Sequence, residues 1–233
     1  MSFVVDHMVS KRWPATNPEL LQLYSFPTPN GVKVSIALEE VGLPYEAHTV
    51  KLNETTTDEF LALNPNNKIP AIIDPDGPGG RPLALWESGA ILLYLAEKTG
   101  KLMPPGAADK ALVQQWLMFQ MGGIGPMFGQ YGYFHVFAGS EIDDPRPRER
   151  YQQEGRRLLA VLEKHLADKS YLVAEEYSIA DIAIWPWIRA AKLFYNADKD
   201  LGYDNLPNVM RWWEQCMARP ASERSLVIPN REG

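Results

Sequence analysis

From Leu20 to Lys98 short β-patterned runs alternate with amphipathic stretches, and beyond the linker TGKLMPPGAAD (99–109) every periodic segment is helical. That change of period limits the fold to an α/β domain followed by an all-helical one. In the first part LLQLYSF (20–26), YEAHTV (45–50), IPAIID (69–74) and PLALWE (82–87) read as strands. GVKVSIALEEVG (31–42), with Val34, Leu38 and Val41 on one face, DEFLALN (58–64) and ESGAILLYLAEKTG (87–100) read as helices. The resulting order is β-α-β-α-β-β-α. Helices are expected again over 108–122, 148–167, 178–194 and 206–218. The domains expected are an arm over 1–19, extended because it shows no period, an α/β domain over 20–100 and a helical domain over 108–226.

Charge and cysteine content then remove several functions. Lys and Arg number 23 against 29 Asp and Glu, a net charge of −6, so neither nucleic acid nor an anionic membrane is expected as a partner. The single cysteine, Cys216, excludes a disulfide framework, a CxxC redox motif and a cysteine zinc site, so any thiol chemistry needs a sulfur brought in by a ligand. The four histidines show no ligand spacing, and no metal is expected. No GxGxxG, Walker loop or GxSxG is present. The start, MSFVVDHMVSKRW, lacks the apolar core and cleavage site of a secretory signal, and the expected location is cytoplasmic. The uncharged run from Ala111 to Ser140 holds four glutamines, His135, Pro126 and several glycines. It reads as a buried helix that breaks near Gly122–Gly125 into a glycine-rich aromatic loop, rather than as a membrane span.

Three places carry groups suited to a small anionic or zwitterionic ligand. Thr28 and Asn30, in PTPNG before a helix, put a hydroxyl and an amide where unpaired N–H groups attract an anion such as a thiolate; ordinary helix capping explains the same residues. In NNKIPA (66–71) a proline opens a strand, which suits an edge or a special turn. It also suits a main chain at Ile69 left to pair with a peptide-like ligand. In WESG (86–89) Ser88 offers a main-chain N–H and a hydroxyl for a carboxylate, and Glu87 a partner for an ammonium; an N-cap serine with an acidic neighbour is the alternative. A fourth motif, SIAD (178–181), is a capping box for a buried helix, with Pro186 expected to kink that helix.

These sites, in this order on this element pattern, resemble the cytosolic glutathione transferases over nearly the whole chain from Leu20 to about Leu226. LYSFPTPNGVKVSIALEE, NPNNKIPAIID, ESGAILLYLAEKTG, GGIGPMFGQ and YSIADIAIWPW are most similar to the bacterial nu-class enzymes and their fungal nitrogen-regulatory relatives. The resemblance implies a thioredoxin-like N-terminal domain, an all-α C-terminal domain, a homodimer, and glutathione as co-substrate. It implies Thr28 and Asn30 at the glutathione sulfur, Ile69 pairing with the cysteinyl main chain ahead of a cis Pro70, and Glu87 and Ser88 on the γ-glutamyl head. It further implies Lys68 at the glycine carboxylate and Arg150 at a glutathione carboxylate. The Thr-Pro-Asn block stands where other classes use Tyr, Ser or Cys, which implies that neither Tyr24 nor Ser25 serves, with Ser25 the competitor to Thr28 and Asn30. Thr55 replaces a glutamine usual in the nu-class. The activity expected is reduction of disulfides by bound glutathione. Conjugation of apolar electrophiles in a pocket walled by Phe128, Tyr131, Tyr133 and Phe134 is one alternative, and a glutathione-binding regulatory protein of low activity is another.

Overall fold

The structure, a computed structural model, describes residues 2–231 and separates into two compact units: residues 2–101 with 220–231, and residues 102–219. The first unit holds strands β1 (Leu21–Ser25), β2 (Tyr45–Thr49), β3 (Ala71–Asp74) and β4 (Leu83–Trp86) in the order β2-β1-β3-β4. β1 and β2 are parallel, which the helical crossover between them allows, whereas β1–β3 and β3–β4 are antiparallel. The helices are α1 (Phe3–Asp6), α2 (Pro29–Val41), α3 (Asp58–Leu61) and α4 (Ser88–Thr99). The sheet and its helices follow the expected β-α-β-α-β-β-α order of a thioredoxin-like domain, with Gly42 and Gly100 closing α2 and α4 in the left-handed region at φ 71° and 66°.

Two segments depart from the sequence reading. Residues 2–19 are not an extended arm (Met1 lies outside the described residues). α1 and a 3-10 turn at Met8–Lys11 fold onto the sheet, and Val4, Val9 and Trp13 join a cluster with Tyr24, Val50, Phe60, Leu63, Ile69, Ala71 and Ile73. Trp13 Nε1 donates to the Thr49 carbonyl at 2.9 Å. Three buried residues spaced five and four apart match no helix or strand period, which is why the pattern gave no signal. At the other end, residues 220–226 were expected in the helical domain, but Pro220–Ser225 returns to the first unit and packs on α2. Ser35 Oγ donates to the carbonyls of Ser225 and Ile228 at 3.4 and 3.3 Å, and Arg224 pairs with Glu39 at 2.6 Å. With α4 and this segment both packed on it, α2 is buried from Gly31 to Leu38 rather than along one face.

The second unit is helical, with α5 (Ala107–Phe119), α6 (Gly125–Gly132), α7 (Arg146–His165), α8 (Ile179–Leu193), α9 (Asp198–Leu201) and α10 (Pro207–Met217); the returning segment Pro220–Ser225 is α11. α5 does not break into a loop at Gly122–Gly125. A π-helical turn, Gln120–Ile124, carries it directly into α6. There the Gly125 N–H reaches back to the Gln120 carbonyl, one residue ahead of Pro126, which has no N–H to give. α8 likewise runs on through Pro186. Its buried Asp181 accepts from Ser178 N and Oγ at 3.0 Å each, from Leu172 N at 3.0 Å and from Trp212 Nε1 at 2.9 Å, so the expected capping box also ties α8 to α10. Among the described residues no helix is long and apolar enough to cross a membrane.

Candidate functional site

One line of sheet register assembles the site. Tyr24 stands opposite Ala71, and Ala71 opposite Trp86, so the end of β1, the start of β3 and the end of β4 meet at one edge of the sheet. The three loops singled out in the sequence leave from that edge. A cleft of about 130 Å³ opens there, lined by Asn30, Asn64, Lys68, Ile69, Pro70, Glu87 and Ser88. Five of the seven residues named from the sequence therefore share one cavity.

Each loop is held by local chemistry. Thr28 caps α2, its Oγ1 accepting from the Gly31 N–H at 3.2 Å with Pro29 in the first turn; it stands beside the cleft-lining residues rather than among them. Gly31 is required: a Cβ would lie 1.9 Å from the Phe26 carbonyl and 2.7 Å from Ser25 Oγ. That close approach brings the first turn of α2 against the end of β1. The Ile69–Pro70 bond is cis, and the main chain of Ile69 makes no hydrogen bond to another described residue. Asn64, buried, donates from Nδ2 to the Lys68 carbonyl at 2.5 Å and accepts from Asn66 N at 2.9 Å, which shapes the loop before that proline. Glu87 is exposed with φ 73°, a backbone state seldom taken by a residue with a side chain, and Ser88 begins α4.

The charge balance of the cleft includes one residue not foreseen. Lys33, fully buried on α2, donates from Nζ to Asn30 Oδ1 at 2.9 Å and to Ser88 Oγ at 3.4 Å. Burial pushes its ammonium down to about 7, while the Glu87 carboxylate pulls the other way. Its signal in the sequence is a lone cation inside the apolar run GVKVSIAL. Lys68 stays exposed at the rim.

Tyr24, Ser25 and Thr55 do not line the cleft. Tyr24 is fully buried against His48, ring centroids 4.6 Å apart, and burial pushes its phenol up to about 12. Ser25 is fully buried behind the start of α2, its Oγ donating to the Phe26 carbonyl at 3.4 Å. The Thr55 hydroxyl donates to Leu52 O at 3.0 Å inside its own loop, and Thr55 does not line the cleft. In the second unit Arg150 lies exposed on α7. Phe128 and Tyr131, expected to wall a pocket, are instead fully buried core residues, with the Tyr131 hydroxyl donating to Asp200 at 2.8 Å. Among the described residues no group of three or more His, Cys, Asp or Glu could hold a metal ion.

Known proteins resemble this chain in sequence and in fold. Residues 19–97 match the family model of the glutathione S-transferase N-terminal domain, and residues 124–220 that of the C-terminal domain. The chain is 46% identical over 211 residues to disulfide-bond oxidoreductase YfcG of Escherichia coli (strain K12), covering 89% of this chain and 95% of that one. The crystal structure of a glutathione transferase from Burkholderia graminis, with two glutathione molecules bound per subunit, is similar at a TM-score of 0.97 and 57% identity over 99% of this chain and 97% of its own. A glutathione transferase from Pseudomonas putida, with one glutathione disulfide bound per subunit, is similar at 0.94 and 56% identity, covering 96% and 98%. With family models matching most of its length and relatives this similar throughout, the chain belongs to the glutathione S-transferase family.

Proposed function

We propose that the protein is a glutathione-dependent thiol–disulfide oxidoreductase, in which glutathione held in the cleft supplies the thiolate that reduces a disulfide. The observation that carries this reading is a cleft of anion donors whose lining includes no cysteine. The one thiol of the chain, Cys216, is buried on α10 of the second unit. Reduction by protein thiols alone needs two, so the sulfur chemistry belongs to the ligand. In this reading Glu87 takes the γ-glutamyl ammonium, Ser88 the neighbouring carboxylate, and the Ile69 main chain pairs with the cysteinyl unit. Lys68 takes the glycine carboxylate. Thr28, Asn30 and the partly positive start of α2 favour the thiolate over the thiol.

The thiolate attacks one sulfur of the substrate disulfide, whose S–S bond breaks, and the leaving sulfur departs as a thiolate and takes up a proton. A second glutathione thiolate then attacks the glutathionyl sulfur of the mixed disulfide. Oxidised glutathione leaves with the second substrate thiol released, so two glutathiones give up the two electrons that the disulfide gains. The name of the Escherichia coli relative, and the neighbours holding two glutathiones or one glutathione disulfide, support this stoichiometry. Arg150 is assigned to a glutathione carboxylate, assembly is as a homodimer and the location is cytoplasmic, all three on the family resemblance.

The test runs 2-hydroxyethyl disulfide reduction, coupled to glutathione reductase, beside chlorodinitrobenzene conjugation on one preparation. Reduction is expected to be the stronger activity. Arg150→Ala is expected to weaken it by about 10- to 150-fold, the scale of a charge-assisted contact of roughly 1.5–3 kcal/mol, and to spare conjugation to a neutral electrophile. Good conjugation with no disulfide reduction overturns the proposal in favour of a transferase.

A further inference from the structure

Lysine is almost never fully buried unless paired, because stripping water from an ammonium costs several kcal/mol. Lys33 is fully buried, and it donates to oxygens on two different helices: Asn30 Oδ1 on α2 at 2.9 Å and Ser88 Oγ on α4 at 3.4 Å. Both acceptors line the cleft. Packing α2 on α4 does not call for a cation, since an apolar side chain of similar length joins two helices at lower cost.

What a cation does here is fix direction. A protonated Lys33 has three donors and no acceptor, and its neutral amine still has two N–H groups, one for each of these oxygens, so both oxygens accept. Asn30 gives its amide oxygen to Lys33, which places its N–H₂ at the opposite end of the planar amide. Ser88 gives a lone pair, which directs its hydroxyl hydrogen away from Lys33. We propose that Lys33 is a positioning residue that sets the polarity of the cleft, holding the Asn30 amide and the Ser88 hydroxyl as donors toward an anionic ligand. The inference rests on the reading of the cleft as a glutathione site, with Asn30 at the thiolate and Ser88 at the γ-glutamyl carboxylate. It adds the group that decides which end of each side chain the ligand meets. Without Lys33 the bond that holds the amide oxygen away from the ligand is lost, and an oxygen turned toward the thiolate would repel it.

The experiment titrates the thiol of enzyme-bound glutathione, read from the ultraviolet absorbance of the thiolate, in wild type, Lys33→Met, Asn30→Ala and the double variant. Lys33→Met is expected to raise the apparent pKa of the bound thiol by about one unit, a tenfold loss of thiolate preference. Asn30→Ala is expected to cost about tenfold in wild type and less than about threefold in the Lys33→Met background, because the two residues act as one unit. If Lys33→Met does not fold, Lys33→Gln replaces it. An amide offers oxygen as readily as nitrogen, so the same rise is expected there. An unchanged thiol pKa in a folded Lys33 variant, with the Asn30→Ala effect undiminished, overturns the proposal. Wild-type protein that takes up no glutathione in calorimetry overturns the reading of the cleft itself, and the role of Lys33 falls with it.

Discussion

Lys33 carries a pH signature of its own. In the folded protein its ammonium keeps its proton only below about 7, while a lysine in the unfolded chain keeps it to about 10. Between those values the unfolded chain binds more protons, so this group makes unfolding harder as pH rises. Its burial cost is therefore fully present below about pH 7 and fades toward about pH 10. Ligand-free Lys33→Met is expected to melt at or above the wild-type temperature at mildly acidic pH, with the gap closing as pH rises, as calorimetric melts across that range would record. A variant less stable by the same margin at every pH would mean that Asn30, Ser88 and Glu87 fully offset the charge. The sequence displays Lys33 three positions from Asn30, but its bond to Ser88 crosses 55 positions, and no local pattern encodes that. Asn64 escaped for a similar reason. Its work is done through the Lys68 carbonyl, a group every residue has.

Helices and strands were legible wherever a period and a terminator coincided. α2 and α4 end on Gly42 and Gly100, and α8 begins on a serine with an aspartate three residues on. The Asp181 carboxylate does more than that motif announces, because Leu172 and Trp212 also donate to it. Asp181→Ala leaves those buried donors unmatched, at roughly 1–3 kcal/mol for each. Denaturant unfolding of that variant is expected to show a loss of about 3 kcal/mol or more; a loss under about 1 kcal/mol would mean that water or a neighbour replaces the carboxylate. α1 and α11, of four and six residues, carry no period of their own, whereas the equally short α3 lies inside the longer amphipathic run DEFLALN. Glycines and a proline signal a break at Gln120–Ile124, whereas the widened π-helical turn absorbs the missing N–H without leaving the helix.

At the scale of the molecule the chain completes its first unit last. It leaves that unit at Lys101, builds the second, and comes back at Pro220 to lay Pro220–Ser225 on α2. The two-part composition of the sequence showed a boundary near the linker, but the return lies in a stretch with no change of period to mark it. The order of synthesis follows from this. The ribosome delivers Ser35 early and its partner Ser225 190 positions later, and at about 5–20 residues per second the interval is on the order of ten seconds or more. Throughout it α2 lacks the packing that Pro220–Ser225 later supplies, while the helical unit emerges behind it. Ribosome-stalled chains ending at Arg219 are expected to be cut by protease within α2, and chains in which Pro220–Ser225 has cleared the exit tunnel to resist. Equal resistance in both would mean that α2 needs no such cover, and α11 would then be ornament to the first domain rather than its closing piece.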